Sequence, residues 1–274
     1  MTIPSYSIAI QTYQYRFDSY FKVLLANVHR QRPNAEKVIF VNGQHNEPFN
    51  ENYRKGMLQY ASNFPNTFLV MSPFMRGCSF MWNTSVNYTS NDYTLILSDD
   101  VLFTDGFFDD FEAMLEQNHK HGDESFRINS HWGHFCMYRK DMTDKNRVGY
   151  FDERLIGFGE EDGDWMWRFQ RTFNRHMRNY NTSKLIGDGT TPSGFKWNSD
   201  NNCQPGKNTR THGGTKYSAY NKEFQFGQKM ELDPNGTNNA CEAYGNSPQK
   251  LREGMDTPEM YPGETWFRNN IDKL

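Results

Sequence analysis

Cysteine is scarce. Cys78, Cys136, Cys203 and Cys241 are the only four in the chain, and no two form a C-x-x-C pair, which argues against zinc ligation and against a dense disulfide framework and leaves structural thiols as the expectation. Long apolar runs are missing as well. The longest, such as Val38 to Val41 and Tyr93 to Leu97, fall far short of the roughly 20 residues a membrane helix requires. The N-terminal Met1-Thr2-Ile3-Pro4-Ser5-Tyr6 shows no basic segment leading into an apolar one, so no secretory signal is read and the cytoplasm is the expected compartment. Excess charge of either sign is also absent. Thirty Lys and Arg against 33 Asp and Glu leave a net charge of −3, which provides no broad basic field for nucleic acid or an anionic membrane. Aliphatic content is low and mean hydropathy is −0.90, but 15 Tyr, 22 Phe and 6 Trp carry the apolar area that the aliphatic residues do not. The 274 residues suit one large domain or two small fused ones, with an aromatic-rich core.

Periodicity sets the organisation. Ser7 to Gln11 reads as a strand, followed by Phe17, Tyr20, Phe21, Leu24, Leu25 and Val28 at helical spacing. Pro33-Asn34 interrupts, and Lys37 to Val41 forms a second buried strand closed by Asn42-Gly43. Strand, helix and strand in that order imply a parallel βαβ unit. A second helix over Phe49, Tyr53, Met57, Tyr60 and Ala61, a strand over Thr67 to Met71, a helix around Val86, a strand over Tyr93 to Leu97 and a helix over Phe107 to Leu115 continue the alternation. Arg127 to Tyr138 reads as irregular and aromatic. Asp162 to Tyr180 reads as a helix presenting Trp165, Phe169, Thr172, Phe173, His176 and Met177 on one face, with His176 mid-helix. From about Asn181 to Leu274 the chain is rich in Asn, Gly, Pro and Lys, which predicts long loops and short elements. The sequence contains no internal repeat.

Two stretches have the residue types that chemistry needs. Asp99-Asp100 follows an apolar strand, and ligands of open α/β sheets gather at such strand ends. Paired hard oxygens suit Mg²⁺ or Mn²⁺; acidic pairs after strands also serve as turn residues and caps. The second stretch, Gly157-Phe158-Gly159-Glu160-Glu161-Asp162-Gly163-Asp164-Trp165, delivers four carboxylates to a helix start. Acids in a first turn complement the helix dipole, and a carboxylate there can also accept a proton from an attacking hydroxyl.

With the βαβ start, these two blocks resemble a family-2-like glycosyltransferase with the glycosyltransferase A (GT-A) fold, from about Ser7 to Arg168. Ile8-Ala9-Ile10-Gln11-Thr12-Tyr13 is similar to the opening strand whose end contacts the donor nucleotide, and Val41-Asn42-Gly43 to the second such strand end. Arg76-Gly77 with Asn83 resembles the segment that reaches the donor before the metal motif. Leu97-Ser98-Asp99-Asp100-Val101 resembles the family's D-x-D motif. Asp100 inherits its metal role, Ser98 stands where the first Asp is expected, and Asp99 is the substitute for the ribose contact. Val148-Gly149-Tyr150-Phe151-Asp152-Glu153-Arg154-Leu155 resembles the G-G-F-D-E stretch before the acceptor region, and Glu161-Asp162-Gly163-Asp164 with Arg168 resembles the E-D-x-D motif. The family's base maps to Asp162, with Glu161 beside it.

The resemblance also implies a sugar-pocket wall at His131-Trp132-Gly133-His134-Phe135, where Trp132 and Gly133 meet the donor; core packing is the other reading of these aromatics. His212, in Thr211-His212-Gly213-Gly214, is the candidate for a further metal ligand, or a solvated loop histidine. The implied α/β architecture is a Rossmann-like, mostly parallel sheet flanked by helices. Residues 1–104 would form the nucleotide-sugar half and 105–180 the acceptor side, with 181–274 a loop-rich extension packed on the core. The implied activity is metal-dependent, inverting transfer of a sugar from a nucleotide-diphosphate sugar to a hydroxyl of a glycan, glycoprotein or glycolipid acceptor, with Mn²⁺ or Mg²⁺. A retaining enzyme, a sugar nucleotidyltransferase and a degenerate glycan-binding protein of the same fold are the alternatives.

Overall fold

The computed structural model describes residues 3–13, 16–43, 49–73, 76–153 and 161–186. Along the chain run β1 (Tyr6–Tyr13), a π-helical turn (Phe17–Phe21) leading into α1 (Lys22–Gln31), β2 (Lys37–Asn42), α2 (Glu51–Ala61), β3 (Thr67–Met71) and α3 (Cys78–Tyr88). They are followed by β4 (Tyr93–Ser98), β5 (Leu102–Phe103), α4 (Phe107–Lys120), β6 (Phe126–Ile128), β7 (His131–Tyr138), α5 (Arg139–Thr143), α6 (Glu161–Phe173), β8 (Arg178–Tyr180) and β9 (Leu185–Ile186). The described residues fall into two units, one holding those up to 76, 84–139 and 178–186, the other 77–83 and 140–177.

The first unit is built on a seven-stranded sheet in the order β3-β2-β1-β4-β7-β6-β8. β1 lies parallel to β2 and β4, and β2 parallel to β3. β7 runs antiparallel to both β4 and β6, and β8 parallel to β6. All six residues of β2 are buried, as a strand covered on both faces demands, which is why Val38 to Val41 reads as a continuous apolar run rather than an alternating one. The core joins Ile8, Ile10, Ile39, Leu95 and Leu97 of the sheet to Leu24, Leu25 and Val28 of α1 and to Phe107, Phe108 and Phe111 of α4. Those three phenylalanines are each fully buried, so the core is aromatic-rich as composition predicts, and each contributes about 2–3 kcal/mol of burial.

Arg127 to Tyr138 is more regular than its sequence suggests. β6 and β7 form a hairpin whose turn residues Asn129 and Ser130 have φ of 52° and 59°, the doubly left-handed geometry that matches strand twist. Asn129 is held there by Thr182, donating to its carbonyl at 2.9 Å and accepting from its N–H at 2.8 Å.

In the second unit, α6 ends at Phe173 because Asn174 takes φ of 53°, a left-handed residue just past the helix that stops propagation. His176 therefore lies beyond the helix and is exposed, not mid-helix. A run of rings forms the core here: Trp82 on Phe151 at 4.9 Å between centroids, Phe151 on Trp165 at 5.4 Å, Trp165 on Phe169 at 5.7 Å and Phe169 on Phe173 at 4.5 Å.

Candidate functional site

In the first unit the carboxyl ends of β2, β1 and β4 lie side by side. Tyr13 aligns with Asn42, and Gln11 with Ser98, so Thr12, Asn42 and Asp99 come to one edge of the sheet, the position where open parallel sheets bind ligands. A turn after β4, with the Val101 N–H on the Ser98 carbonyl at 3.2 Å, carries Asp99 and Asp100 inward. They are only 2% and 5% exposed. Burial of two adjacent carboxylates is costly unless they are paired. Arg16 pairs both: its Nη1 lies 2.8 Å from Asp99 Oδ1 and 2.7 Å from Asp100 Oδ2. Burial pushes the Asp99 carboxyl up to about 6; Arg16 opposes that shift, and the neighbouring Asp100 charge adds to it.

Three polar groups are buried together here, Thr12 Oγ1, Tyr53 Oη and Asp99 Oδ2, with the Thr12 hydroxyl in hydrogen-bonding reach of both the Asp99 carboxylate and the Tyr53 phenol. Tyr53 stands in the first turn of α2, where Asn50 caps the helix by accepting its N–H at 3.0 Å. Burial first, and the Asp99 charge second, hold the Tyr53 phenol well above its ordinary pKa. Buried polar groups are ordinarily hydrogen-bonded, and here Thr12, Tyr53 and Asp99 cluster at the strand ends beside the acid pair. In the sequence Tyr53 is only a helix-face residue, and no local signal announces that its phenol lies near Asp99.

Asn42 and Arg76, far apart in sequence, meet. Asn42 Nδ2 donates to the Arg76 carbonyl at 2.9 Å, and the Arg76 N–H donates to Asn42 Oδ1 at 2.8 Å. The Arg76 side chain is exposed. Trp132 and Gly133 open β7 beside the end of β4, since Leu97 aligns with His134. A Cβ on Gly133 would stand 3.0 Å from His131 Nδ1 and 3.8 Å from Ser98 Cβ. This crowding favours glycine, whose N–H donates to His131 Nδ1 at 2.9 Å. The half-buried Trp132 packs against Phe135 at 4.8 Å. The His131 and His134 rings stack at 4.8 Å with 4° between planes, and His134 is 1% exposed.

In the second unit, Asn83 is tied to the segment that contains Phe151. Its Nδ2 donates to the Phe151 carbonyl and to Glu153 Oε1, both at 2.9 Å, and its Oδ1 accepts the Phe151 N–H at 2.9 Å. Gly149 has φ of 87°, a conformation that favours glycine, and its carbonyl accepts Trp165 Nε1 at 2.9 Å. The two sequence blocks Val148–Glu153 and Glu161–Arg168 are thus fastened together. In the first turn of α6, Glu161 is buried and Asp164 is fully buried, while Asp162 is half-buried, its Oδ1 accepting the Gly163 N–H at 2.9 Å.

The donor set at Asp99 and Asp100 is hard oxygen, which fits Mn²⁺ or Mg²⁺. Among the described residues no group of three or more His, Cys, Asp or Glu side chains gathers as a metal cage. His212 lies outside the described residues, as do Arg154, Leu155, the 157–160 stretch and the tail from 187. Among the described residues no helix is long and apolar enough to cross a membrane.

Neither a family model nor a curated protein matches the sequence. Solved structures do. The mannosyltransferase PcManGT from Pyrobaculum calidifontis, in complex with GDP-Man and Mn²⁺, matches at 11% identity over 99% of this chain and 74% of its own, with a TM-score of 0.53. Residues 1–349 of S. aureus TarS, in complex with UDP-GlcNAc, match at 13% identity over 98% of this chain and 88% of that one, with a TM-score of 0.52. A longer TarS chain is covered over 35% of its length. The chain has the GT-A glycosyltransferase fold.

Proposed function

We propose that this protein is a nucleotide-sugar glycosyltransferase that moves a sugar from a nucleotide-diphosphate sugar to an acceptor hydroxyl, dependent on Mn²⁺ or Mg²⁺ and with inversion at the anomeric carbon. The observation that carries it is the buried Asp99–Asp100 pair at the carboxyl end of β4, next to the ends of β1 and β2, in a chain whose fold matches PcManGT and TarS.

Thr12, Tyr13, Asn42, Arg76 and Gly77 would receive the nucleotide, with Asp99 on the ribose beside Ser98. The buried Thr12 and Tyr53 hydroxyls beside Asp99 suit the hydroxyl-rich face of a nucleoside. Trp132 and Gly133 would line the sugar. Asn83, whose amide is engaged by Phe151 and Glu153, contributes by holding that segment in place. Asp100, together with His212 from the tail, would hold the divalent cation, which supplies charge neutralisation on the departing diphosphate. Asp162, the most accessible of the three α6 acids, would take the proton from the attacking hydroxyl, with Glu161 alongside. A single displacement by one base accounts for inversion. The acceptor would be a glycan, glycoprotein or glycolipid, and the compartment the cytoplasm. Residues 1–104 would serve the donor, 105–180 the acceptor, and 181–274 would be a loop-rich extension packed on the core.

The test is a thermal-shift panel of UDP, GDP, dTDP and CDP, each with and without Mn²⁺. A ligand that binds only the folded state raises the midpoint, so one diphosphate should stand out, and only with metal. No shift with any of them would sink the donor site and favour a degenerate binding protein of this fold.

A further inference from the structure

The acid pair already holds a cation of its own. One guanidinium nitrogen of Arg16 sits within 2.8 Å of Asp99 and 2.7 Å of Asp100, and all three side chains are at most 7% exposed. Arg16 stands directly ahead of the π-helical turn Phe17–Phe21, a rare geometry that often marks functional positions. Its guanidinium also lies 5.6 Å from the centre of the Tyr20 ring. Thr12 and Tyr53 gather beside it at the same strand ends, with the Thr12 hydroxyl in hydrogen-bonding reach of Asp99 and Tyr53.

A divalent ion binds carboxylate oxygens at about 2.0–2.6 Å, which is the space that Arg16 Nη1 now fills. Two cations cannot share it, because their repulsion in a dry pocket is large. Arginine is also the side chain best matched to a phosphate group, through paired N–H donors.

We propose that Arg16 is the resident counter-cation of Asp99 and Asp100, and that a divalent metal reaches these carboxylates when the diphosphate of a nucleotide takes the guanidinium over. Metal and nucleoside diphosphate then bind as one coupled event, each raising the other's affinity by the same factor. This deepens the glycosyltransferase reading and rests on it for the diphosphate; the occupation of the acid pair by Arg16 does not depend on it.

Mn²⁺ binding to the full chain is read from the loss of the free-ion electron paramagnetic resonance signal, for the wild type, Arg16→Gln and Arg16→Lys, without nucleotide and with whichever of UDP, GDP, dTDP or CDP binds. Without nucleotide, Arg16→Gln should bind Mn²⁺ at least about tenfold more tightly than the wild type, while Arg16→Lys, which keeps the charge, stays within about threefold. The nucleotide should raise wild-type Mn²⁺ affinity at least about tenfold and that of Arg16→Gln far less. Equal Mn²⁺ affinity of Arg16→Gln and the wild type without nucleotide overturns the counter-cation role. A gain in Arg16→Gln with no nucleotide effect in any protein overturns the coupling and the donor reading, and leaves the counter-cation role supported. If Arg16→Gln does not fold, the wild type still decides: its Arg16 side-chain ¹⁵N signal should move with Mg²⁺ plus nucleotide, and an equal movement with Mg²⁺ alone overturns the proposal.

Discussion

Asp164 and Arg168 form a buried ion pair across one turn of α6, with Arg168 Nε and Nη2 each 2.9 Å from Asp164 Oδ2. Arg168 Nη1 reaches further, to the Val148 carbonyl at 2.9 Å. Of the acids that open this helix, Asp164 is therefore a structural one: it fixes the arginine that clamps the Val148–Glu153 segment. Removing one partner of a buried pair leaves the other charge uncompensated. Asp164→Ala should lower stability by about 3 kcal/mol, read from the urea midpoint at neutral pH. A loss well below 1 kcal/mol would mean that the pair is not holding the segment.

Asp162, two residues earlier, should behave in the opposite way. It is half-buried and takes one N–H bond from Gly163, so Asp162→Asn is close to isosteric and should leave the urea midpoint and nucleotide binding near wild type. Transfer should fall by about 100-fold or more, the span that general-base catalysis covers. Undiminished transfer in Asp162→Asn would remove it as the base.

Much of this was legible in the sequence, for identifiable reasons. β2, β3 and β4 lie within a residue of their predicted bounds, and α4 starts at Phe107 as predicted but runs on to Lys120, because fully buried strands and a strongly amphipathic helix leave patterns that local reading detects. The β6–β7 hairpin was not legible: its left-handed turn uses Asn129-Ser130 rather than the Asn-Gly that signals such a turn. The helix over 162–180 was overrun because His176 and Met177 continue the apolar spacing while the stop is an asparagine, not a glycine. The acid pair could be read from its place after an apolar strand. Its partner could not, since Arg16 and Asp99 meet across 83 positions and no local pattern encodes that meeting.

Asn42 tests a link that only the fold reveals. Its side chain is 3% exposed and both of its ends are engaged by the Arg76 backbone. Asn42→Ala removes both bonds and leaves the Arg76 N–H and carbonyl without those partners, so stability should fall by about 1–3 kcal/mol in a urea titration. Under the proposed function the nucleotide-induced thermal shift should shrink as well, because the strand-end segment that carries Arg76 is no longer fixed. A destabilised variant with a full nucleotide shift would separate the two effects and release Asn42 and Arg76 from the donor site.

His134 sets an acid limit on the fold. It lies opposite Leu97, buried under the stacked His131 ring, with the Ile128 backbone in hydrogen-bonding reach. Burial chiefly, with His131 adding and Asp100 opposing, depresses its pKa from 6.5 to about 3. The sign follows from linkage. The folded state binds this proton less readily than the unfolded chain, so the stability contributed by a neutral His134 is fully present above pH 6.5 and is lost as the pH falls toward 3. Over that window the loss approaches about 1.4 kcal/mol for each pH unit. Replacing the ring with an apolar side chain, as in His134→Leu, removes the titrating group from both states. Urea midpoints at pH 7.5 and pH 5 should therefore differ less in His134→Leu than in the wild type, and an unchanged difference would show that His134 does not govern acid sensitivity.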